Sequence, residues 1–507
     1  MRIEGFLIAV LFPAIAWSQE PLSSIDWLKD TSRIPLPDTM VMEPPVSSTG
    51  DGPAVDVIPL APATPPIGLV SSTVTGLPVD LWQGSDPARL ADLISRVPVG
   101  DSPAMQKLLY ALLLTESSPP AGPDAAETLL LARLDRLVAL GASDPAQALV
   151  ELAGPDQSRA RFARWFETTL LSGDEDRACS ALLAAPYLSD DYAAHIFCQV
   201  RVGDWEAAAL TLEAVHTLEL MHEERLALLD RFLSPDIFEG SPPLPRPNYP
   251  DALEFRLFET IGERLNTGSL PKAFANADLR DIAGWKAQIE AAERLTRMGV
   301  LPPNQLIGLY TERDPAASGG VWDRVEAIQR FDTAISVGNS TAIERSLGQV
   351  WRKMREVGLE VPFAELFAEG LGNQSLENGS AAELAWRVRL LSRLYEQASS
   401  DAPNESAESM FLSALAQGDP GRVIAPSELA ASIADGFSEE AVVPQKIADL
   451  RRNGQLGEAI LEAMLLFDRG ARGNPSDLSA ALASLRAMGL EDTARRAALE
   501  LMLLGYG

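Results

Sequence analysis

Residues 173–222 read GDEDRACSALLAAPYLSDDYAAHIFCQVRVGDWEAAALTLEAVHTLELMH, and they hold both cysteines and all three histidines of the 507-residue chain. Apolar residues recur here at helical intervals. Gly173 and Gly203 each precede an alanine, Ala178 and Ala208, by five positions. Glycine ends one helix in a left-handed cap, and a small residue early in the next lets two helices approach closely. The same pairing appears at Gly141…Ala146, Gly454…Ala459 and Gly489…Ala494. The separations are 32 and 30 residues among the first three glycines and 35 between the last two, the length of one helical hairpin per repeat.

Outward from this stretch the helical pattern continues. SDPARLADLISRV opens with Ser85 as expected N-cap and Pro87 in the first turn, where the missing N–H costs little. AMQKLLYALLLTES, AAETLLLARLDRLVAL and RARFARWFETTLLSG carry similar spacing, and strand-like alternation is almost absent after the lead-in. The expected fold is therefore all-α, an α-solenoid of helical hairpins behind a Pro-rich extended N-terminal segment. Residues 84–233 form the first set of hairpins and 251–507 the second. SPDIFEGSPPLPRPNYP, residues 234–250, is the expected linker, since six prolines interrupt any helix there.

Residues 1–18 have the form of a signal peptide: Arg2, an apolar run from Phe6 to Ala16, and Ala16-Trp17-Ser18 as a cleavage site before Gln19. No later run is apolar over the length that a membrane span needs. Export to a bacterial periplasm follows as the expected localisation, with no membrane span in the mature chain. Residues 19–83, rich in Pro, Ser, Thr and Val, read as an extended or disordered tether or strap whose apolar residues, such as Val55, Val57 and Ile58, can lie along a helical groove.

The chain carries 71 acidic against 42 basic residues, a net charge of −29. Such a surface repels phosphate backbones and anionic headgroups, which argues against a nucleic-acid partner.

GDWEAAALTLEAV, residues 203–215, resembles the second helix of a tetratricopeptide repeat, with Trp205 in the aromatic place and Ala208 in the small-residue place; NGQLGEAILEAML, residues 453–465, is a weaker copy. The resemblance covers about a third of the chain and implies a degenerate solenoid of that kind. HIFCQVRVGDWEAAALTLE and PAASGGVWDRVEAIQ resemble an uncharacterised family of exported bacterial proteins sometimes labelled antifreeze-glycopeptide-related. That label implies an ice-binding surface, but no Thr-Ala-Ala repeat or regular threonine face accompanies it.

Cys179 and Cys198 are equidistant from the PYLSDD turn, so an antiparallel hairpin sets them at one height, and in an oxidising compartment they pair as a disulfide. The alternatives are free buried thiols, or a metal site built from His195, Cys198, Cys179 and His216. His216 shares a face with Trp205 and Leu212 and is expected in the core; His222 is expected at a solvated helix start. Gly319, Gly320, Trp322 and Arg324 form a possible binding turn, two glycines giving free N–H groups in front of a helix. The competing reading packs Trp322 inward and pairs Arg324 with an acid. Ser269 and Lys272 match a Ser-x-x-Lys pattern, but its companion Lys-Thr-Gly is missing. No convincing catalytic set or cofactor motif emerges. The expected function is a non-enzymatic periplasmic scaffold or adaptor that binds an envelope protein or peptide on its helical surface, without cofactor. A peptidoglycan-associated enzyme accessory or a metal-binding protein is the alternative.

Overall fold

The computed structural model describes residues 65–280 and 282–505. The signal-like segment and the lead-in as far as residue 64, with Val55, Val57 and Ile58, lie outside the described residues. Among the described residues there are 25 α-helices and no strand, only two isolated bridges, Ile67 to Ser117 and Val70 to Thr115. The protein is all-α, with sequential helices packed as antiparallel neighbours.

Local chemistry explains the segmentation. The first long helix, Pro87–Arg96, starts one residue later than Ser85 would place it: Asp86 is the cap and accepts from the Arg89 N–H at 2.8 Å, while Pro87 occupies the first turn. The five glycines of the repeat pairing all have positive φ, from 77° to 93°, and the five alanines that follow them are at most 1% exposed. Each glycine thus turns the chain and each alanine seats the next helix. The helix pairs Ala125–Leu140 with Ser143–Ala153, Arg159–Ser172 with Asp176–Ala184, Tyr192–Arg201 with Trp205–Thr217, Gln445–Arg452 with Leu456–Ala471, and Pro475–Ala487 with Glu491–Leu504 are built this way.

The hairpins do not simply run on in a line. The Pro87–Arg96 helix packs on Leu456–Ala471, and Pro103–Leu114 packs on Glu491–Leu504. The Leu81 carbonyl accepts from the Gly457 N–H at 2.9 Å. Trp82 is fully buried against Gly457, where a β-carbon would stand 2.5 Å from the indole, and its Nε1 donates to Ser117 Oγ at 3.1 Å. Arg89 reaches Glu458 and Glu462. At the next layer Ser102 Oγ and the Ala104 N–H both donate to Glu500 Oε2 at 3.0 Å. A carboxylate from near one end of the unit thus caps a helix near the other. Burial pushes the Glu500 carboxyl up to about 7 against these two hydrogen bonds. An open solenoid unit touches only its neighbours in the chain; here the array closes on itself.

The cores follow the closure. The larger takes residues from Leu77 to Ala277 and from Trp386 to Leu501, with Met298; a second runs from Trp285 to Leu391. The proline-rich stretch 234–250 is mostly exposed and runs between the adjacent helices Glu223–Leu233 and Ala252–Thr260, which both feed the larger core. It interrupts helices without separating two bodies: the chain from Ala63 onward is one compact unit.

The last part of the lead-in is extended and pinned. The N–H groups of Leu69 and Val70 donate to the Leu114 carbonyl at 2.8 and 3.0 Å. Arg133, 2% exposed, donates to the carbonyls of Leu113, Ile67 and Thr115 at 2.6, 3.0 and 3.1 Å, and burial lowers it to about 10.

Candidate functional site

Cys179 on Asp176–Ala184 and Cys198 on Tyr192–Arg201 are completely buried and joined in a disulfide, with Cα atoms 4.9 Å apart. Closing a loop of 19 residues contributes about 3 kcal/mol in the chain-entropy account. Both sulfurs are therefore spent on each other. His195 Nε2 lies 2.9 Å from the Ser189 carbonyl, which makes it the N–H-bearing nitrogen. Among the described residues no group of three or more His, Cys, Asp or Glu side chains is arranged to hold a metal ion.

His216 departs from its expected core position. Its ring is exposed and meets Asp230 at 3.0 Å, because the inward face of its helix is Ala208, Leu212 and Val215. Trp205 is likewise 51% exposed. It is the first residue after the cap Asp204, at the start of the same side as Ala208 and Leu212, and the face opposite them points outward.

This outward face is the most distinctive surface of the hairpin. The Trp205–Thr217 helix packs mainly on its two sequence neighbours, Tyr192–Arg201 and Glu223–Leu233. Leu210, Ala214 and Leu218 follow one another at four-residue intervals and are all exposed, Leu210 at 73% and Leu218 at 64%. Positions i, i+4 and i+8 form one stripe, so these side chains make a continuous apolar strip in water. Asp204, Glu206, Glu213 and Glu219 border it, all exposed. Beside Trp205 a depression of about 360 Å³ holds Arg201, Arg231 and Arg256 around Glu175. Glu175 is 1% exposed; its Oε1 accepts from Arg256 at 2.9 Å and its Oε2 has no partner.

The glycine turn in front of Val321–Ser336 is already filled. Gly319 and Gly320 both have positive φ, but the Gly319 N–H donates to Asp323 Oδ1 at 2.7 Å. Trp322 packs on Trp285 with ring centres 5.0 Å apart. Arg324 makes two 2.6 Å bonds to Glu293, which also accepts from the Tyr310 hydroxyl at 2.7 Å. Expected as a possible binding turn, it is a helix connection in which the Gly319 N–H and the Arg324 guanidinium already have partners within the chain. Ser269 donates to the Asn266 carbonyl at 3.4 Å, and no hydrogen bond joins it to Lys272.

Compared with protein-family models, with curated proteins and with solved structures, the chain matches none of them. Among the described residues no helix is long and apolar enough to cross a membrane.

Proposed function

We propose that the protein is a non-enzymatic scaffold or adaptor of the bacterial periplasm that binds an envelope protein on the face of the Trp205–Thr217 helix. The observation that carries this reading is the exposed stripe Leu210, Ala214 and Leu218, on a helix packed against one that the Cys179–Cys198 disulfide holds in place. A rigid apolar strip bordered by charge is the usual chemistry of an interface centre. Its acidic border calls for a partner with an apolar ridge flanked by Lys and Arg, which also gives fast, salt-sensitive association. Support for the compartment comes from the signal-like segment and from the disulfide, which suits an oxidising environment.

The test is cross-linking in intact cells followed by affinity capture, with the captured protein then purified and titrated against the chain. The expected result is one envelope protein that binds directly and is lost in Leu210→Asp/Leu218→Asp. A partner that binds the double variant as tightly as the wild type removes this face from consideration.

A further inference from the structure

A second place on the molecule has the features of a small-molecule site and is independent of the interface above. A cleft of about 410 Å³ lies between the Pro103–Leu114 helix, the turn from Trp285–Arg297 into Pro303–Thr311, and the Glu360–Gly372 helix. That volume falls in the range of about 300–1,000 Å³ typical of ligand pockets. The turn is fixed by the Tyr110 hydroxyl, which donates to the Met298 carbonyl at 3.1 Å. Gly299, with φ of 70°, makes the reversal.

The walls are aliphatic: Leu114, Val300, Leu301 and Val361, interleaved with prolines such as Pro302 and Pro362. Proline has no N–H, so much of this wall lacks the main-chain donors that a peptide strand or a sugar needs. An alkyl chain asks for none.

The charged side chains of the cleft are of one sign with a single exception. Lys107 and Arg297 are exposed and make no close ion pair among the described residues, although Lys107 feels Glu500 and Arg297 feels Glu360 at longer range. Glu365 is the exception, and it lies 3.5 Å from Arg496, so its charge is countered. In a chain with 71 acids to 42 bases, this cleft thus carries two exposed cations free of close ion pairs. Behind them Thr296 is 2% exposed and its hydroxyl has no hydrogen-bond partner. A buried hydroxyl left unmet has lost its water without compensation, which a ligand acceptor or a water restores. Close by, burial and the cations Arg136, Arg294 and Arg297 lower the Lys272 ammonium, so the local field is positive.

We propose that this cleft binds a free long-chain carboxylate, its alkyl chain on Leu114, Val300, Leu301 and Val361 and its head group held by Lys107 and Arg297 with the Thr296 hydroxyl as a further donor. The head group is an anion and the tail a single chain. The adaptor thereby has a ligand site separate from its protein-binding face.

The experiment is calorimetric titration of the purified full chain with laurate below its micelle concentration, beside acetate, dodecyl maltoside and anionic phosphatidylglycerol vesicles. Laurate is expected to bind, acetate not to bind, and the uncharged dodecyl maltoside to bind at least about tenfold more weakly, the size of charge-assisted contacts. Lys107→Gln/Arg297→Gln, two exposed positions whose change leaves the melting temperature in place, is expected to lower laurate affinity by a similar factor. Leu301→Trp, which fills the cleft, is expected to abolish it. The proposal is overturned if laurate does not bind, if it binds the double glutamine variant unchanged, if the maltoside binds equally well, or if the chain adsorbs to vesicles while ignoring free laurate.

Discussion

Around residues 192–217 the helices pack on their neighbours in the chain, whereas Gly84 and Ser102 bond to residues 371 and 398 positions further on. The first arrangement leaves one helix with a bare outer face and relies on a covalent staple to hold it. The second covers everything: Trp82 is wholly buried, and the Pro103–Leu114 helix is capped by a residue of another helix. Helices of the same length and composition thus serve two ends. Where the array closes, apolar surface is used up in stability; where it is only a hairpin, apolar surface stays in water.

The strongest way to break this contrast is at the closure. Trp82→Ala removes the side chain that fills the junction and is expected to cost about 3–5 kcal/mol. Gly457→Val drives a side chain into Trp82 and the Leu81 carbonyl and is expected to cost about as much. Both are read by denaturant unfolding. A midpoint equal to wild type for either would mean that the two ends are not joined.

Next is the hairpin. Cys179→Ser/Cys198→Ser is expected to lose about 3 kcal/mol, with wild type under reducing agent falling to the same value. If the variant kept full stability and still lost its protein partner, the staple would have a role beyond structure.

Glu500 gives a pH test. Its folded value of about 7 lies above the ordinary 4.5, so between these limits the folded chain holds this proton more firmly than the unfolded chain does. The stability it contributes is complete below pH 4.5 and is lost as pH rises to about 7, no more than about 3 kcal/mol in all. Glu500→Gln keeps an acceptor for the Ala104 N–H and carries no proton to lose. Stability measured from pH 5 to 8 should therefore fall less steeply in the variant than in the wild type; equal slopes would remove Glu500 as the source.

The smallest stability effect belongs to the exposed stripe. Leu210→Asp/Leu218→Asp is expected to move stability by no more than about 0.5 kcal/mol, as for surface changes that touch no packed group. A large loss would show that the face is packed in solution.

The helices, their glycine turns and the cysteine pair were legible because each rests on residues close in sequence. Gly203 and Ala208 carry their own signature, and Cys179 and Cys198 are symmetric about one turn. The closure was not legible. Nothing near Trp82 indicates that Gly457 will receive it, and proline-rich surroundings made residues 65–83 read as a tether. Trp205 and His216 were misread toward the core for a different reason: helical spacing puts them on the side of Ala208 and Leu212, but they stand at the two ends of the helix, and burial at the ends depends on how far the neighbouring helices reach. At Gly319 and Gly320 the backbone reading was sound, but Asp323, four residues beyond Gly319, had already taken the donor. The cleft at Lys107 and Arg297 had no signal, because its two sides lie far apart in the chain.

The bond between Ser102 and Glu500 also sets an order of events. A chain made from its amino end presents the Pro103–Leu114 helix first, and the residue that caps it nearly four hundred positions later. During that interval the apolar flank destined for the Glu491–Leu504 helix stays wet, and contacts of such long range form slowly. The protein therefore has a long adolescence in which a holding chaperone has something to grip. Losing the final helix would damage the part of the molecule that was made first.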